Sequence, residues 1–438
     1  MDRSSSLFVA VMLILIVGSA SLAILCDSWH LTGSTEATPK ILWEIDLERF
    51  ATDFTVADGK VFTSDKDGTV YCFNAQSGDT LWNTDVGGYV GGSQIAAYGD
   101  KVYVGCRDSV VKRLDINTGK VELSYQAPVW TSYATKNSPS DFFVADEKLF
   151  TIQNGIAVYI ESTGELLWKT NMMGVVEMGN VSVPESDYIF IRGLSRVNPN
   201  NASIIWSISG RSGGTTEVTQ GKVLFWNYNP AGSPDEAKDL LCVNASSGEE
   251  VWRFYVGART FQPIVSNGVV LFGAEDGYLY SVDFEGGTLN WRTFVDDQNL
   301  IETFNNYTEV ESVAIRMSAA SVQVDSQNKR VFWSLIVGYN GDDNYNGTVW
   351  ALDFLAGSRI WTLPVINNES VFTNYAAFTS ITLSKNLLYV TEHSDLYCLD
   401  ANTGVIKFRK NFEHYVLPPV VADDKVFVAA DLWLIAYE

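Results

Sequence analysis

The chain has 438 residues, of which 30 are Lys or Arg and 52 Asp or Glu, for a formal charge of −22; 46% are apolar and 13% aromatic. That apolar supply excludes a disordered chain, and the length alone would allow two or three ordinary domains. The negative sum argues against a nucleic acid or an anionic lipid surface as partner, since either calls for a basic patch to displace counterions, and no run of five basic residues exists.

Residues 7–25 form an uncharged stretch of 19, with Arg3 before it and Asp27 after it. This is the length of a minimal membrane span, and the charge bias places the N-terminus in the cytoplasm. Small residues from Gly18 to Ala23 equally suit a signal-peptidase site. Both readings export the rest of the chain, as a membrane-anchored or a secreted protein. Cys26 follows at once, but Leu25 is too large for the small residue that precedes a lipidated cysteine. The expected organisation is an anchor or signal peptide over 1–26, a polar tether over 27–39, and one folded unit over 40–438. Six N-x-S/T sequons, at Asn180, Asn201, Asn244, Asn306, Asn346 and Asn368, agree with export and mark candidate glycosylation sites.

From residue 40 onward one pattern repeats. Residues 56–82 serve as template: KVFT, then the alternating TVYCFN, then DTLWNTDV after a tight turn at Gln76-Ser77-Gly78. Gly78 precedes Trp82 by four residues, and the same step joins Gly164 to Trp168, Gly248 to Trp252, Gly287 to Trp291 and Gly357 to Trp361. Ala202 takes the glycine place before Trp206, while Gly119 leads to Leu123 and Gly404 to Phe408. An Asp or Asn usually opens the turn, at Asn74, Asp115, Asn198, Asn244, Asp283, Asp353 and Asp400, where its side chain bonds the backbone ahead and glycine supplies positive φ. The middle strand recurs nine times, from Lys60-Val61-Phe62 to Lys425-Val426-Phe427. Each unit is therefore four antiparallel strands, and no helical periodicity occurs after residue 40. Trp43 sits in a fourth strand with no first three before it, and the chain stops after a third strand at Glu438. The N-terminal strand can complete the last unit and leave no unpaired edge. The expected fold is an all-β propeller of four-stranded blades. The count favours nine; eight is the alternative, with residues 181–206 the doubtful unit. The repeat residues Trp43, Trp82, Trp168, Trp206, Trp252, Trp291 and Trp361 are expected to pack between neighbouring sheets.

The pattern D/N-A-x-T/S-G-x-x-x-W, closest at Asp400-Ala401-Asn402-Thr403-Gly404 and Asn74-Ala75-Gln76-Ser77-Gly78, resembles the pyrroloquinoline-quinone (PQQ)-type propeller repeat over residues 40–438. The resemblance implies one of two occupations. One is a quinoprotein dehydrogenase holding PQQ and Ca²⁺ on the propeller axis. The other is a non-catalytic propeller that binds proteins, such as the propeller lipoprotein of the bacterial outer-membrane β-barrel assembly machinery. Fold does not choose between them. The dehydrogenases carry a vicinal Cys-Cys disulfide against the cofactor, and no two of the five cysteines here are adjacent. Their Asp base and calcium set match no motif of this chain either, so PQQ is not expected and no catalytic or cofactor-binding residue is assigned.

Three cysteines, Cys72, Cys242 and Cys398, share one place in the repeat and read as small residues on buried strands. The three histidines stand alone, His30 in the tether, His393 in a turn and His414 in a crossing between blades. Asp342, Asn344, Asn346 and Gly347 fit D-x-N-x-N-G, the opening of a calcium loop, with Asp353 at position twelve in place of Glu. Without the terminal Glu an enlarged hairpin turn is the favoured reading, with Ca²⁺ bound by Asp342, Asn344, Asn346 and Asp353 as the alternative. Glycosylation of Asn346 would exclude it.

Successive connections in a four-stranded blade alternate ends. First-to-second and third-to-fourth turns share one face; second-to-third turns and inter-blade crossings share the other. The first face is nearly constant, and length variation falls on the second: residues 226–239, 338–347, 128–141 and the crossing 292–321, which stretches one Trp-to-Trp interval to 70 residues. These stretches hold Trp130, Trp226, Tyr228, Phe304, Tyr307, Tyr339 and Tyr345 among many carboxylates. Long loops on a rigid scaffold are where binding concentrates. The expectation is a non-enzymatic scaffold whose loop face engages a protein or glycan outside the cytoplasm. A PQQ-dependent oxidoreductase and a structural cell-surface component are the alternatives.

Overall fold

A computed structural model describes residues 39–438 apart from 88–94, 107–109, 127–140, 153–155, 171–188, 192–194, 209–211, 229–238, 259, 261–262, 275, 296–315, 339–344, 366–379, 393 and 415. The anchor or signal segment and nearly all of the tether lie outside these residues, as do Asn180, Asn306 and Asn368.

The described residues form nine antiparallel sheets and no helix. Eight have four strands, in sequential order in seven of them. They are numbered here as blades 1 to 9 in chain order from residue 51. Blade 4, the unit doubtful in the sequence, shows three strands, Ile189–Ile191, Ser195–Val197 and Ile204–Ser207. Blade 9 is composite: the N-terminal strand Ile41–Asp46 pairs with the last strand Trp433–Tyr437, with Asp46 opposite Trp433 and Ile41 opposite Tyr437. Strands alternate because side chains of a pleated sheet point in turn to the two neighbouring blades.

Nine apolar clusters fill the nine junctions between consecutive blades. One joins Phe62 and Trp82 of blade 1 to Val102 and Leu114 of blade 2. Another joins Leu271 and Trp291 of blade 6 to Trp333 and Trp350 of blade 7. Two close the circle: Tyr389 and Cys398 of blade 8 meet Val428 and Ile435 of blade 9, and Trp43 and Phe427 of blade 9 meet Val61 and Phe73 of blade 1. The architecture is a nine-bladed propeller, closed between its first and last strands.

The constant face is locked by a repeated bond set. Turn carboxylates and amides accept backbone N–H groups two and three residues ahead, as Asn74 does from Gln76 (2.8 Å) and Ser77 (3.0 Å) and Asp353 from Leu355 (2.9 Å) and Ala356 (2.7 Å). The residue after that Asp or Asn works in two directions. Its N–H bonds its own blade's first-to-second turn, as Phe354 bonds the Lys329 carbonyl at 2.8 Å. Its carbonyl accepts the indole N–H of the previous blade's Trp: Trp291 reaches Phe354 at 3.0 Å, Trp43 Ala75 at 3.2 Å, Trp82 Ile116 at 3.1 Å, and Trp361 Ala401 at 3.1 Å. Trp168, Trp206 and Trp252 do the same to Pro199, Ala245 and Phe284. The turn glycine adds a steric reason to its conformational one. Gly357 has φ +67, and a Cβ there would stand 2.4 Å from the Trp291 ring.

Two junctions lack the Trp, each for a visible reason. Between blades 8 and 9 no third-to-fourth turn receives an indole, because the fourth strand of blade 9 is Ile41–Asp46, which pairs with Trp433–Tyr437 without following it in the chain. Phe408 stands there and packs on Tyr437 at 5.7 Å. Between blades 2 and 3 the receiving carbonyl belongs to Glu161, and Arg113 (2.7 Å) and Tyr125 (2.5 Å) donate to it in place of an indole.

Candidate functional site

The loop face is built at the C-terminal ends of fourth strands and the N-terminal ends of third strands. Its short second-to-third turns are held by single carboxylates. Asp65 of blade 1 accepts the N–H groups of Asp67 (2.9 Å), Gly68 (3.0 Å) and Thr69 (2.9 Å), and the Tyr71 hydroxyl on its other oxygen (2.9 Å). Asp276 of blade 6 accepts from the Tyr278 N–H at 3.1 Å and from the Tyr280 hydroxyl. These carboxylates accept hydrogen bonds from their own turns and third strands.

On this face blades 5 and 6 each carry an aromatic side chain open to solvent, on opposite sides of the blade 5 sheet. Tyr255 and Phe294 are the last residues of the strands Glu250–Tyr255 and Leu289–Phe294, and are 71% and 40% exposed. Phe294 packs on Tyr278 at 5.0 Å, and the Arg292 guanidinium lies 4.7 Å over the Tyr278 ring. In the junction beside Phe294 and Tyr278, Phe254, Phe272 and Tyr280 stack, with Phe272 and Tyr280 parallel at 5.0 Å. Burial, with help from the Asp276 carboxylate, raises the Tyr280 hydroxyl above its ordinary range, so it stays a neutral donor. The arrangement offers flat apolar surface with a cation at its edge and no nucleophile.

Sequence reading had passed over Tyr255, Tyr278 and Phe294. The third residue after the repeat Trp is polar at Asp85 or Asp46 and aromatic in blades 5 and 6, a departure visible in the chain. Of the residues singled out for this face, Trp130, Phe304, Tyr307 and Tyr339 lie outside the described residues. Tyr228 ends the strand Lys222–Tyr228, and Tyr345 begins Tyr345–Asp353. Trp226 is corrected. It is not a loop residue but a member of its strand, paired with Leu240 and 4% exposed, because the strand runs further before the loop than turn residues such as Asn227 suggest.

Asn346 and Asp353 do not share one calcium ion. Asp342 and Asn344 lie outside the described residues. Asn346 is opposite Val337 near one end of its strand and Asp353 is opposite Arg330 at the other. Seven residues of extended chain separate them by about 23 Å, beyond any shared ion. Asp353 is instead the turn cap described above. Among the described residues no cluster of His, Cys, Asp and Glu could hold a metal ion. Of the sequon residues described, Asn201 and Asn244 sit exposed in constant-face turns, where Asn244 caps Ser246 and Ser247 at 2.9 Å each.

The PQQ fit was tested on the chain's own donors. Cys72, Cys242 and Cys398 are buried in third strands and Cys106 ends a second strand, all as free thiols in different blades. Burial pushes the first three up to about 12. The donor set that the dehydrogenases use is not supplied by these residues. Asp53, on an inner strand, has its carboxyl raised by burial, and its oxygens accept the N–H groups of Phe54 (2.9 Å) and Ile95 (3.0 Å) across the junction. His414 lies 3.2 Å from Asp431 and edge-on to Phe50 at 4.9 Å, far along the ring from Tyr255 in sequence and blade number.

The family described as outer membrane protein assembly factor BamB matches residues 30–174 and 163–431. The chain belongs to this family. Two relatives carry that name. The protein of Moranella endobia is 23% identical over 54% of this chain and 65% of its own length, and that of Shewanella oneidensis 23% identical over 62% and 70%. The match thus spans just under two thirds of the first relative. In three dimensions the chain resembles a quinohemoprotein alcohol dehydrogenase of Pseudomonas putida HK5, with TM-score 0.53 and 15% identity over 91% of this chain and 76% of that one. At that identity the likeness concerns the fold alone.

Proposed function

We propose that the chain is an exported, membrane-tethered propeller that binds another protein through its loop face and performs no chemistry of its own. The observation that carries this reading is the contrast between the two faces. One is fixed turn by turn through the Trp-to-carbonyl bonds; the other ends in long loops and carries the exposed rings of Tyr255 and Phe294. Exposed aromatics beside an arginine are the residue types that dominate protein interfaces. The relatives' description as outer-membrane protein assembly factors makes a partner in membrane-protein assembly the first class to test. A glycan partner would use the same rings and is the second outcome.

A photo-crosslinking residue at Tyr255 or Phe294 should trap the partner in native membranes, and the same residue at Gln76 on the constant face should not. Removing residues 296–314 should abolish capture and leave the propeller folded; the cut begins after Val295, which is buried against blade 7. Capture that survives the deletion, or equal adducts from Gln76, would sink the reading.

A further inference from the structure

Three blades carry arginine directly after the residue in the repeat-Trp place: Arg253 in blade 5, Arg292 in blade 6 and Arg409 in blade 8. Each stands opposite a third-strand residue, Leu241, Tyr280 and Tyr397 in turn. Two positions before that residue, blades 5 and 8 place an aspartate that takes the guanidinium. Asp239 accepts from Arg253 at 2.7 Å, and Asp395 accepts from Arg409 on both oxygens, at 3.0 Å and 2.8 Å. Blade 6 places Tyr278 there instead.

The exchange leaves the fork of Arg292 without a carboxylate. The residue is exposed and makes no ion pair among the described residues. Its guanidinium lies 4.7 Å over the Tyr278 ring and beside the Tyr280 hydroxyl, which hold it without neutralising it. Asp276, on the preceding turn, accepts from the Tyr278 N–H at 3.1 Å and from the Tyr280 hydroxyl rather than from Arg292. Phe294 completes the corner. It stands opposite Tyr278, packs on that ring at 5.0 Å and lies over Gly277, where a Cβ would stand 2.8 Å from it. It is still 40% exposed.

We infer that Arg292 is the docking point for a carboxylate of the bound protein, with an apolar side chain of the same segment seated on Phe294. The carboxylate that blades 5 and 8 supply from within, blade 6 takes from its partner. A planar guanidinium receives a carboxylate through two parallel bonds, as Arg409 does inside its own blade. In open water such a pair contributes little; a docked apolar side chain that excludes water from Arg292 strengthens it. The chain as a whole, at −22, repels an acidic segment, so an unpaired cation beside an open ring decides where that segment settles. The inference names the chemistry of the partner within the binding reading above and rests on that reading; the test separates the two.

The full chain is titrated with a photoreactive peptide of alternating leucine and glutamate and with its glutamine counterpart, and adducts are mapped by mass spectrometry. The glutamate peptide should half-saturate at a concentration about fivefold lower and mark residues beside Arg292. Arg292→Gln should remove that preference. Arg409→Gln, which breaks a pair already made within blade 8, should keep it. Tyr278→Asp rebuilds in blade 6 the arrangement of blades 5 and 8, and should lower the preference as far as Arg292→Gln does. Tyr278→Asn takes away the ring without adding a charge and should retain most of it. Equal losses from the Asp and Asn variants, or a preference untouched by Arg292→Gln, would overturn the inference. So would a preference that appears only when residues 296–314 are removed, since the chain's own Asp296 and Asp297 would then be filling the fork. The crosslinker at Tyr255 reports the binding reading separately. Capture in membranes that Arg292→Gln leaves unchanged keeps that reading and ends the role of Arg292. A glutamate preference at Arg292 with no capture from membranes keeps the docking point and ends the reading.

Discussion

Glycine in this propeller does two separable jobs, and single substitutions can pull them apart. Gly59 has φ +65 with nothing within 4 Å of a Cβ, so it serves conformation alone. Gly357 has φ +67 and faces the Trp291 ring at 2.4 Å. Gly59→Ala should therefore cost about 1 kcal/mol, the ordinary penalty of a left-handed backbone. Gly357→Ala adds overpacking and should cost about 3 kcal/mol in urea unfolding followed by tryptophan fluorescence. Equal losses would mean the ring contact carries no energy. Ala202, at φ +61, is the one turn that keeps a Cβ, and its partner Trp168 is only half-buried, so that junction is already the looser one. The thiols give a second residue-scale test. With burial holding Cys72, Cys242 and Cys398 up at about 12, iodoacetamide at pH 8 should leave all three unmodified in the folded protein and alkylate them after denaturation. Modification of any of them at the rate of a free thiol would contradict their placement in the junctions.

At the scale of the element, each blade must be fixed to the next, and polar groups take over where the indole or the turn departs from the rule. Arg330, 5% exposed, pairs with Asp325 at 2.5 Å and crosses from blade 7 to Asn402 of blade 8 at 2.6 Å. Burial would raise the Asp325 carboxyl, but its bonds from Arg330 and Asn328 outweigh that and hold it below the usual range. A depressed folded-state value means the stabilisation is complete above the unfolded carboxyl value near 3.9 and is lost as pH falls through the folded one. Asp325→Asn leaves a buried guanidinium unpaired and should cost about 3 kcal/mol at pH 7. The gap to the parent should close as pH drops below the unfolded value. A penalty independent of pH would show that packing, not charge, is lost. The element scale also shows what the chain discloses. The Gly-to-Trp step and the opening Asp or Asn are local, so they could be read off directly. Leu123 and Phe408 read as lapses because their causes, the Glu161 acceptor and the missing turn of blade 9, are contacts between blades. Spacing likewise cannot tell oxygens on a turn from oxygens strung along the nine-residue strand Tyr345–Asp353.

Closure of the propeller depends on the pairing of strands Ile41–Asp46 and Trp433–Tyr437. Strand Ile41–Asp46 contributes Trp43 to the junction with blade 1, where its indole bonds the Ala75 carbonyl, and covers the outer edge of Trp433–Tyr437. A chain begun at residue 47 loses both at once. It should unfold at a lower urea midpoint and self-associate through the bare edge, whereas removal of residues 296–314 from a crossing should leave the midpoint nearly unchanged. A sharper test uses Phe408. Its place in the repeat calls for Trp, but an indole N–H at the junction with blade 9 has no turn carbonyl to meet. A circular permutant supplies one: residues 438 and 41 are joined by a copy of the turn 400–404, and new ends are opened within 229–238. In the parent chain Phe408→Trp should be neutral or destabilising, since it adds bulk and an unpaired donor. In the permutant the same substitution gains a hydrogen bond and should stabilise by about 1 kcal/mol. The difference between the two effects isolates the worth of closing the ring covalently at its natural seam. A double-mutant cycle that shows no coupling would mean that the departure at residue 408 has a cause other than the missing turn.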